Sequence, residues 1–271
     1  MLKHIKLKIV IIGALFAVFL FYGFFENQWL KINSFDFQSN DIPEAFNGKK
    51  IVFLADLHLG FYFSNKRTAK LVETINQLEP DIIIFGGDFI DRNVKYTEPR
   101  FDGLKDLKAK LGKFGVLGNH DNVINSNLIK REMQEAGITF LDNKAEWIQI
   151  GNQKIKIGGV GDLWTSWQNL EPTVADVGKD DFVILVSHNP DYAPEIKNDL
   201  VDLVLSGHTH AGQVTFFGLG AIMRSKYGQK FRYGMVDLGN TKVYITSGVG
   251  STVVPIRFFA RPEIALITLK K

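Results

Sequence analysis

Residues 50–58 read KIVFLADLH. Ile51 to Ala55 form an apolar, partly β-branched run that is too short for a helix and suits a strand buried on both faces. The run then stops at Asp56 and His58. The same design recurs as DIIIFGGD (81–88), FGVLGNHD (114–121), DFVILVSH (181–188) and VDLVLSGHTH (201–210). Between the first blocks the apolar period changes to that of a helix. Leu71, Val72, Ile75 and Leu78 share one helical face within 65–78. Leu104, Leu107 and Leu111 predict a second helix, stopped at Gly112. Leu128, Ile129, Met133 and Ala136 predict a third, ended by Gly137. From 145 to 160, and again from about 213 to 269, strands are expected to follow one another with glycine turns. The sum is a mixed α/β domain, with strand–helix units first and a β-rich second half.

The polar residues that end these runs carry the chemistry. Ligands of open α/β sheets bind just outside the carboxyl ends of the strands, so Asp56, His58, Asp88, Asn119, His120, Asp121, His188, His208 and His210 should converge on one edge. The chain has six histidines. His4 lies among lysines near the N-terminus, and the other five all sit at strand ends. Neutral imidazole and carboxylate together suit a borderline divalent metal. The i, i+2 spacing of Asp56 with His58, and of His208 with His210, predicts extended segments that point both donors to one face. The donors outnumber one coordination sphere and suit two ions sharing a carboxylate. Such a pair, ~3.5–4 Å apart, is the clamp used for in-line displacement at phosphorus. Gly86, Gly87, Gly118 and Gly207 stand beside the donors and fit a close approach of backbone to ions and phosphate.

Composition narrows the classes. The chain of 271 residues contains no cysteine, which removes disulfides, iron–sulfur clusters, thiolate zinc and cysteine nucleophiles. It leaves the compartment open. The net charge of +3 comes from Lys3, Lys6 and Lys8; residues 26–271 carry 29 basic and 29 acidic side chains. A balanced domain gives no support for phosphate-backbone binding, so no nucleic acid partner is expected. Ile9 to Phe25 is a run of 17 residues without a charge, at the short end for a membrane span. The expected organisation is a membrane anchor helix (1–25), a polar linker (26–47) and one domain (48–271). The run ends in FFENQWLK, with no small-residue cleavage site, which favours an uncleaved anchor over a signal peptide. Trp29 suits the membrane interface. The flanking lysines place the N-terminus in the cytoplasm and the domain outside it; a helix lying in the interface would instead allow the cytoplasmic face.

The joint set DLH, GGD, GNHD, SH and GHTH, in that order over residues 51–210, resembles the calcineurin-like metallophosphoesterase superfamily. GHTHAGQV, SKYGQKFRYG, SGVGSTVVPIRF and RPEIALITL are similar to a membrane-associated bacterial branch of phosphodiesterases and UDP-2,3-diacylglucosamine pyrophosphatases. The resemblance implies a four-layer αββα sandwich of two mixed sheets flanked by helices. It implies two divalent ions, manganese, zinc, iron, cobalt or nickel. Asp56, His58 and His210 would hold the first, Asn119, His188 and His208 the second, and Asp88 would bridge them. His120 would face the substrate as the acid for the leaving oxygen, with Asp121 holding its imidazole or capping the following helix. The implied activity is hydrolysis of a phosphodiester or pyrophosphate, plausible substrates being phosphorylated small molecules or a lipid-linked or envelope compound. A metal-binding scaffold without catalysis and a nuclease are the alternatives.

Asp91 and Asp162 read as turn residues. Arg224 and Arg257 read as surface or ion-paired arginines rather than phosphate contacts. GFYF (60–63) is either an exposed aromatic loop or packing beneath the site, and the Phe258–Phe259 pair reads as core.

Overall fold

The computed structural model describes residues 2–91, 101–221 and 225–271. Among these residues twelve strands form two six-stranded sheets. The first contains β1 (Lys31–Gln38), β2 (Lys50–Leu54), β3 (Ile82–Phe85), β4 (Lys113–Gly115), β5 (Ile138–Phe140) and β12 (Glu263–Lys270), in the order β1-β12-β2-β3-β4-β5. β2 to β5 are parallel, each reached through a crossover. The second contains β6 (Lys144–Ile150), β7 (Gln153–Gly159), β8 (Val183–Val186), β9 (Leu203–Ser206), β10 (Gly234–Asp237) and β11 (Lys242–Ile245), in the order β10-β11-β9-β8-β7-β6. One apolar core fills the space between the sheets, with Phe53, Ile84, Phe182, Ile184, Leu205 and Ile267 among its members. β2, β3, β8 and β9 read as unbroken apolar runs because both faces of each are covered.

Helices α2 (Asn65–Gln77) and α3 (Asn119–Glu135) pack on the outer face of the first sheet. Ser64 caps α2 through its Oγ, which accepts the Arg67 N–H, and Leu71, Val72 and Ile75 turn inward. α3 is kinked at Asn125, whose Oδ1 accepts the Leu128 N–H and starts the second half as a new cap would. Among the described residues, the outer face of the second sheet carries α4 (Glu171–Val174) and a 3₁₀ turn at Pro190–Glu195. The chain is thus the expected sandwich of two mixed sheets flanked by helical layers, one of them thin.

Two expectations fail here. The leucines at 104, 107 and 111 do not form a helix; only Asp102–Asp106 coils, as a 3₁₀ turn. The side chain of Asn76 takes the Asp106 carbonyl and the Lys108 N–H, the two backbone groups a continuing helix would need. Nor is 26–47 a linker. α1 (Leu2–Gln28) runs past Phe25, and β1 pairs in parallel with β12 along its whole length. Sequence patterning did not announce β1, because its inward positions begin with Lys31 and Asn33 while Ile32 faces out, which breaks the alternation of a half-buried strand. The described residues of 213–221 and 225–233 carry isolated bridges rather than strands.

Candidate metal centre

The donors expected from the strand ends meet at one place, and the backbone brings them there in an unexpected way. Asp56, His58, Asp88, His208 and His210 all have left-handed backbones, with φ between 46° and 70°. The i, i+2 pairs therefore share a face through tight turns, not through extended segments. Each such residue stores of order 1–3 kcal/mol of strain, which persists where surrounding structure over-determines it. Asn119, by contrast, opens α3.

Two groups of donors form. In the first, His58 Nε2 and His210 Nε2 lie 3.1 Å apart, and His210 Nε2 lies 3.6 Å from Asp56 Oδ1. In the second, Asn119 Oδ1 lies 3.2 Å from His188 Nε2 and 3.0 Å from His208 Nδ1. Asp88 stands between them, its Oδ2 3.6 Å from His58 Nε2 and 3.4 Å from His188 Nε2. His120 also comes within reach of His58 and Asp88. It differs from the other four histidines of the site in being half-exposed, while they are buried.

The walls of the site explain its glycines. A Cβ on Gly118 would stand 2.1 Å from Asp88 Oδ1, and one on Gly207 would stand 2.5 Å from Asp56 Oδ2. Residues outside the expected set also contribute. Gly250 donates its N–H to the Asp56 carbonyl, and a Cβ there would meet the Leu57 carbonyl at 2.1 Å. Arg257 is wholly buried rather than on the surface, and among the described residues it has no ion pair. Its guanidinium donates to the carbonyls of Ser247, Gly248, Gly250 and Ala260 and stands 3.4 Å from His210 Nδ1. The motif SGVGSTVVPIRF carried the signal for both.

Among the described residues no hydrogen bond joins Asp121 to the His120 imidazole. Its carboxylate accepts the backbone N–H groups of Phe89, Ile90 and Gly118, so it fixes the loop after Asp88 and caps α3. Asp162 accepts from Trp164 and Thr165 as a turn residue does. Arg224 lies outside the described residues. GFYF divides: Phe61 and Tyr62 are exposed, whereas Phe63 is buried under the Arg67 guanidinium.

The electrostatics suit a cation. Burial holds His58 down to about 4 and His208 down to about 3, and it holds His210 well below the ordinary imidazole value. These rings are neutral and keep a lone pair. Burial pushes Asp56 up to about 7, against the pull of His188. Burial opposes charge on both Asp88 and His188, but their facing charges prevail, lowering the carboxyl and raising the imidazole. His188 Nδ1 lies 2.7 Å from the Gly86 carbonyl, to which it donates. Its Nε2 is thereby aimed at two oxygens, Asn119 Oδ1 and Asp88 Oδ2. Only a proton or a cation reconciles three acceptors meeting there, and metal binding exchanges one for the other. The mixed N/O set without sulfur fits a borderline divalent ion.

A two-sheet sandwich whose strand ends gather two nitrogen–oxygen donor groups about one shared carboxylate defines a dinuclear metallohydrolase. The calcineurin-like phosphoesterase profile matches residues 49–212. The chain is 34% identical over 251 residues to the uncharacterized metallophosphoesterase YkuE of Bacillus subtilis, covering 91% of this chain and 88% of that protein. It is 31% identical to phosphodiesterase YaeI of Escherichia coli over 81% of this chain and 82% of that protein. Among solved structures, Thermus thermophilus sulfate thiohydrolase SoxB superposes with a TM-score of 0.52 at 12% identity, over 84% of this chain and 57% of that one; this likeness concerns the fold alone. The chain belongs to the calcineurin-like phosphoesterases. It is a metal-dependent phosphohydrolase with a dinuclear divalent metal centre.

Proposed function

We propose that this protein is a membrane-anchored phosphoesterase that cleaves a phosphodiester or pyrophosphate bond in an amphiphilic or envelope substrate. In this reading Asp56, His58 and His210 hold one ion, Asn119, His188 and His208 the other, and Asp88 both. The observation that carries it is the placing of Asp88 Oδ2 within 3.6 Å of donors from both groups. Bound divalent ions supply acidified water and neutralise charge on phosphoryl oxygens. The chain supplies the rest. The buried imidazoles are held neutral, and His188 is oriented by Gly86. His120, the one half-exposed imidazole of the set, protonates the leaving oxygen. Its backbone N–H donates to Asp88 Oδ1 at 2.9 Å, which ties the acid to the bridging carboxylate.

The substrate reading draws on what surrounds His120. A cavity of about 350 Å³ is lined by Asn119, His120, Val123 and Ile124. Val123 is exposed at this cavity, exposed Trp164 is set edge-on to His208 at 4.2 Å, and exposed Phe61 and Tyr62 follow His58 within four residues in sequence. Such side chains suit an acyl chain or a base, as in UDP-2,3-diacylglucosamine. α1 contains a stretch, His4–Gln28, that is long and apolar enough to cross a membrane. The lysines before it favour a domain outside the cytoplasm, and a topology reporter at the C-terminus distinguishes the two sides.

Manganese titration of the chelator-treated protein should reach two ions per chain by calorimetry, and Asp88→Asn should bind one or none. Two full-affinity sites in Asp88→Asn would overturn the bridging assignment. Failure of the metal-loaded protein on every phosphodiester, pyrophosphate and monoester tried would favour a scaffold.

A further inference from the structure

The end of α1 is not a free tether. Its face formed by Phe19, Tyr22, Gly23, Glu26 and Asn27 is clasped by residues 251–260. The ring of Phe258 lies 4.3 Å from that of Phe19 and 5.1 Å from that of Tyr22. Arg257 donates its N–H to the Gly23 carbonyl. Glu26 accepts the N–H groups of Phe259 and Ala260, and Asn27 Oδ1 accepts the Ser251 hydroxyl. Gly23 is small for this contact, since a Cβ there would stand 2.4 Å from Ile256 Cγ2. The expected core role of Phe258–Phe259 is thus replaced by a junction with α1.

The clasp reaches Phe19, nine residues before Gln28. At 1.5 Å per residue that is about 13 Å along the helix axis, well inside the apolar run that ends at Phe25. The loops that grip α1 therefore stand at the depth of its last apolar turns. Their composition agrees. No charged residue occurs from Ala211 to Ala221 or from Ser251 to Ile256. Phe216, Phe217, Leu219 and Val253 are each at least 60% exposed. Phe217 packs on Phe259 at 4.3 Å, so the two loops and the helix are continuous. Trp29, under the Arg261 guanidinium at 3.8 Å, marks the level where charge resumes.

We propose that residues 211–221 and 251–256, with Phe258 and Phe259, form a collar lying in the boundary between lipid headgroups and acyl chains around α1; the one charged residue among them, Arg257, is buried. The inference rests on α1 being a membrane helix. An exposed apolar patch of this kind, ringed on a spanning helix, is covered by lipid in the way an interfacial segment is. The collar also places the metal centre against the surface. His208 and His210 directly precede one loop, and Arg257, in the other, touches both His210 and the clasp. The mouth of the site then meets substrates whose phosphate lies at the headgroup level.

The absence of cysteine makes the test direct. Single cysteines at Leu15, Phe217, Leu219, Val253 and Lys179 are labelled with the polarity-sensitive dye NBD. The full-length chain is reconstituted in phosphatidylcholine–phosphatidylglycerol vesicles carrying a nitroxide lipid, shallow in one preparation for the loop probes and deep in another for Leu15. Lys179 is exposed at the opposite ends of the strands and serves as the aqueous reference. The expected result is blue-shifted, nitroxide-quenched emission at Phe217, Leu219 and Val253, as at Leu15, with neither effect at Lys179. Quenching at Leu15 with loop probes behaving like Lys179 overturns the collar and leaves the anchor intact. Absence of quenching at Leu15 overturns the membrane reading itself, and the collar with it.

Discussion

The metal centre and the α1 junction are built by opposite departures from ordinary partition. At the centre, carboxylates and imidazoles are buried, and five of them sit on left-handed backbone. At the junction, large apolar side chains are left exposed on loops, and the acid that would normally face water, Glu26, is buried by backbone donors. Neither arrangement is what folding alone selects, since buried charge costs desolvation and exposed aromatics forgo burial. Divalent cations suit the first departure, and under the collar proposal lipid suits the second. The comparison teaches that departures of both signs are functional signals, and that their sign identifies the partner.

The largest test strikes the centre. Asp88→Asn should lower kcat/KM for a water-soluble phosphodiester by on the order of 10³-fold or more, because several kcal/mol of charge stabilisation translate into such factors. A loss under tenfold would remove Asp88 from the shared position. His120→Ala should cost on the order of 10²–10⁴-fold, as loss of a general acid does. Bound metal, read by elemental analysis, should not fall, and the deficit should shrink for substrates with good leaving groups. Falling metal content would make His120 a ligand instead.

Stability contrasts come next. Leu205→Ala, between the sheets, should destabilise the chain by about 2–5 kcal/mol in urea unfolding. Gly118→Ala should cost about 1–3 kcal/mol, since its Cβ would overlap the Asp88 carboxylate. Leu219→Ser, at an exposed collar position, should change stability in detergent by only about 0.5 kcal/mol. A large effect there would mean the loop packs on protein rather than on lipid.

The smallest effect concerns pH. Burial pushes Asp202 up to about 7, with Asp41 adding to it and the Val183 N–H opposing it. The folded value exceeds the unfolded one, so this group's contribution is fully present below about pH 4. It is lost as pH rises through about 7. Asp202→Asn lacks that loss. Its Tm relative to the parent chain should therefore climb between about pH 4 and 7, and a flat difference by scanning fluorimetry would contradict it.

Much of the site was legible beforehand because each donor sits where an apolar run stops, a junction that any parallel sheet places at one edge. The runs 51–55, 82–85 and 183–186 are pure enough to be read as strands without context. The reasons for convergence were less legible. Spacing suggested extended pairs at 56/58 and 208/210, but local sequence does not disclose that these residues turn left-handed. Asp121 read as a support for His120, with a helix cap as the compatible alternative, and only the positions of the Phe89, Ile90 and Gly118 amides revealed the cap.

By itself, the amino-acid order determined the donor set, its neutral domain charge and the apolar N-terminal run, because these depend on residue type and local period. Tertiary structure alone decided that 31–38 pairs with 263–270, that Arg257 lies buried behind His210, and that loops near 217 and 258 climb the helix at Phe19. Those contacts join segments scores to hundreds of residues apart. Their free energy comes from shapes meeting in space, which no local periodicity encodes.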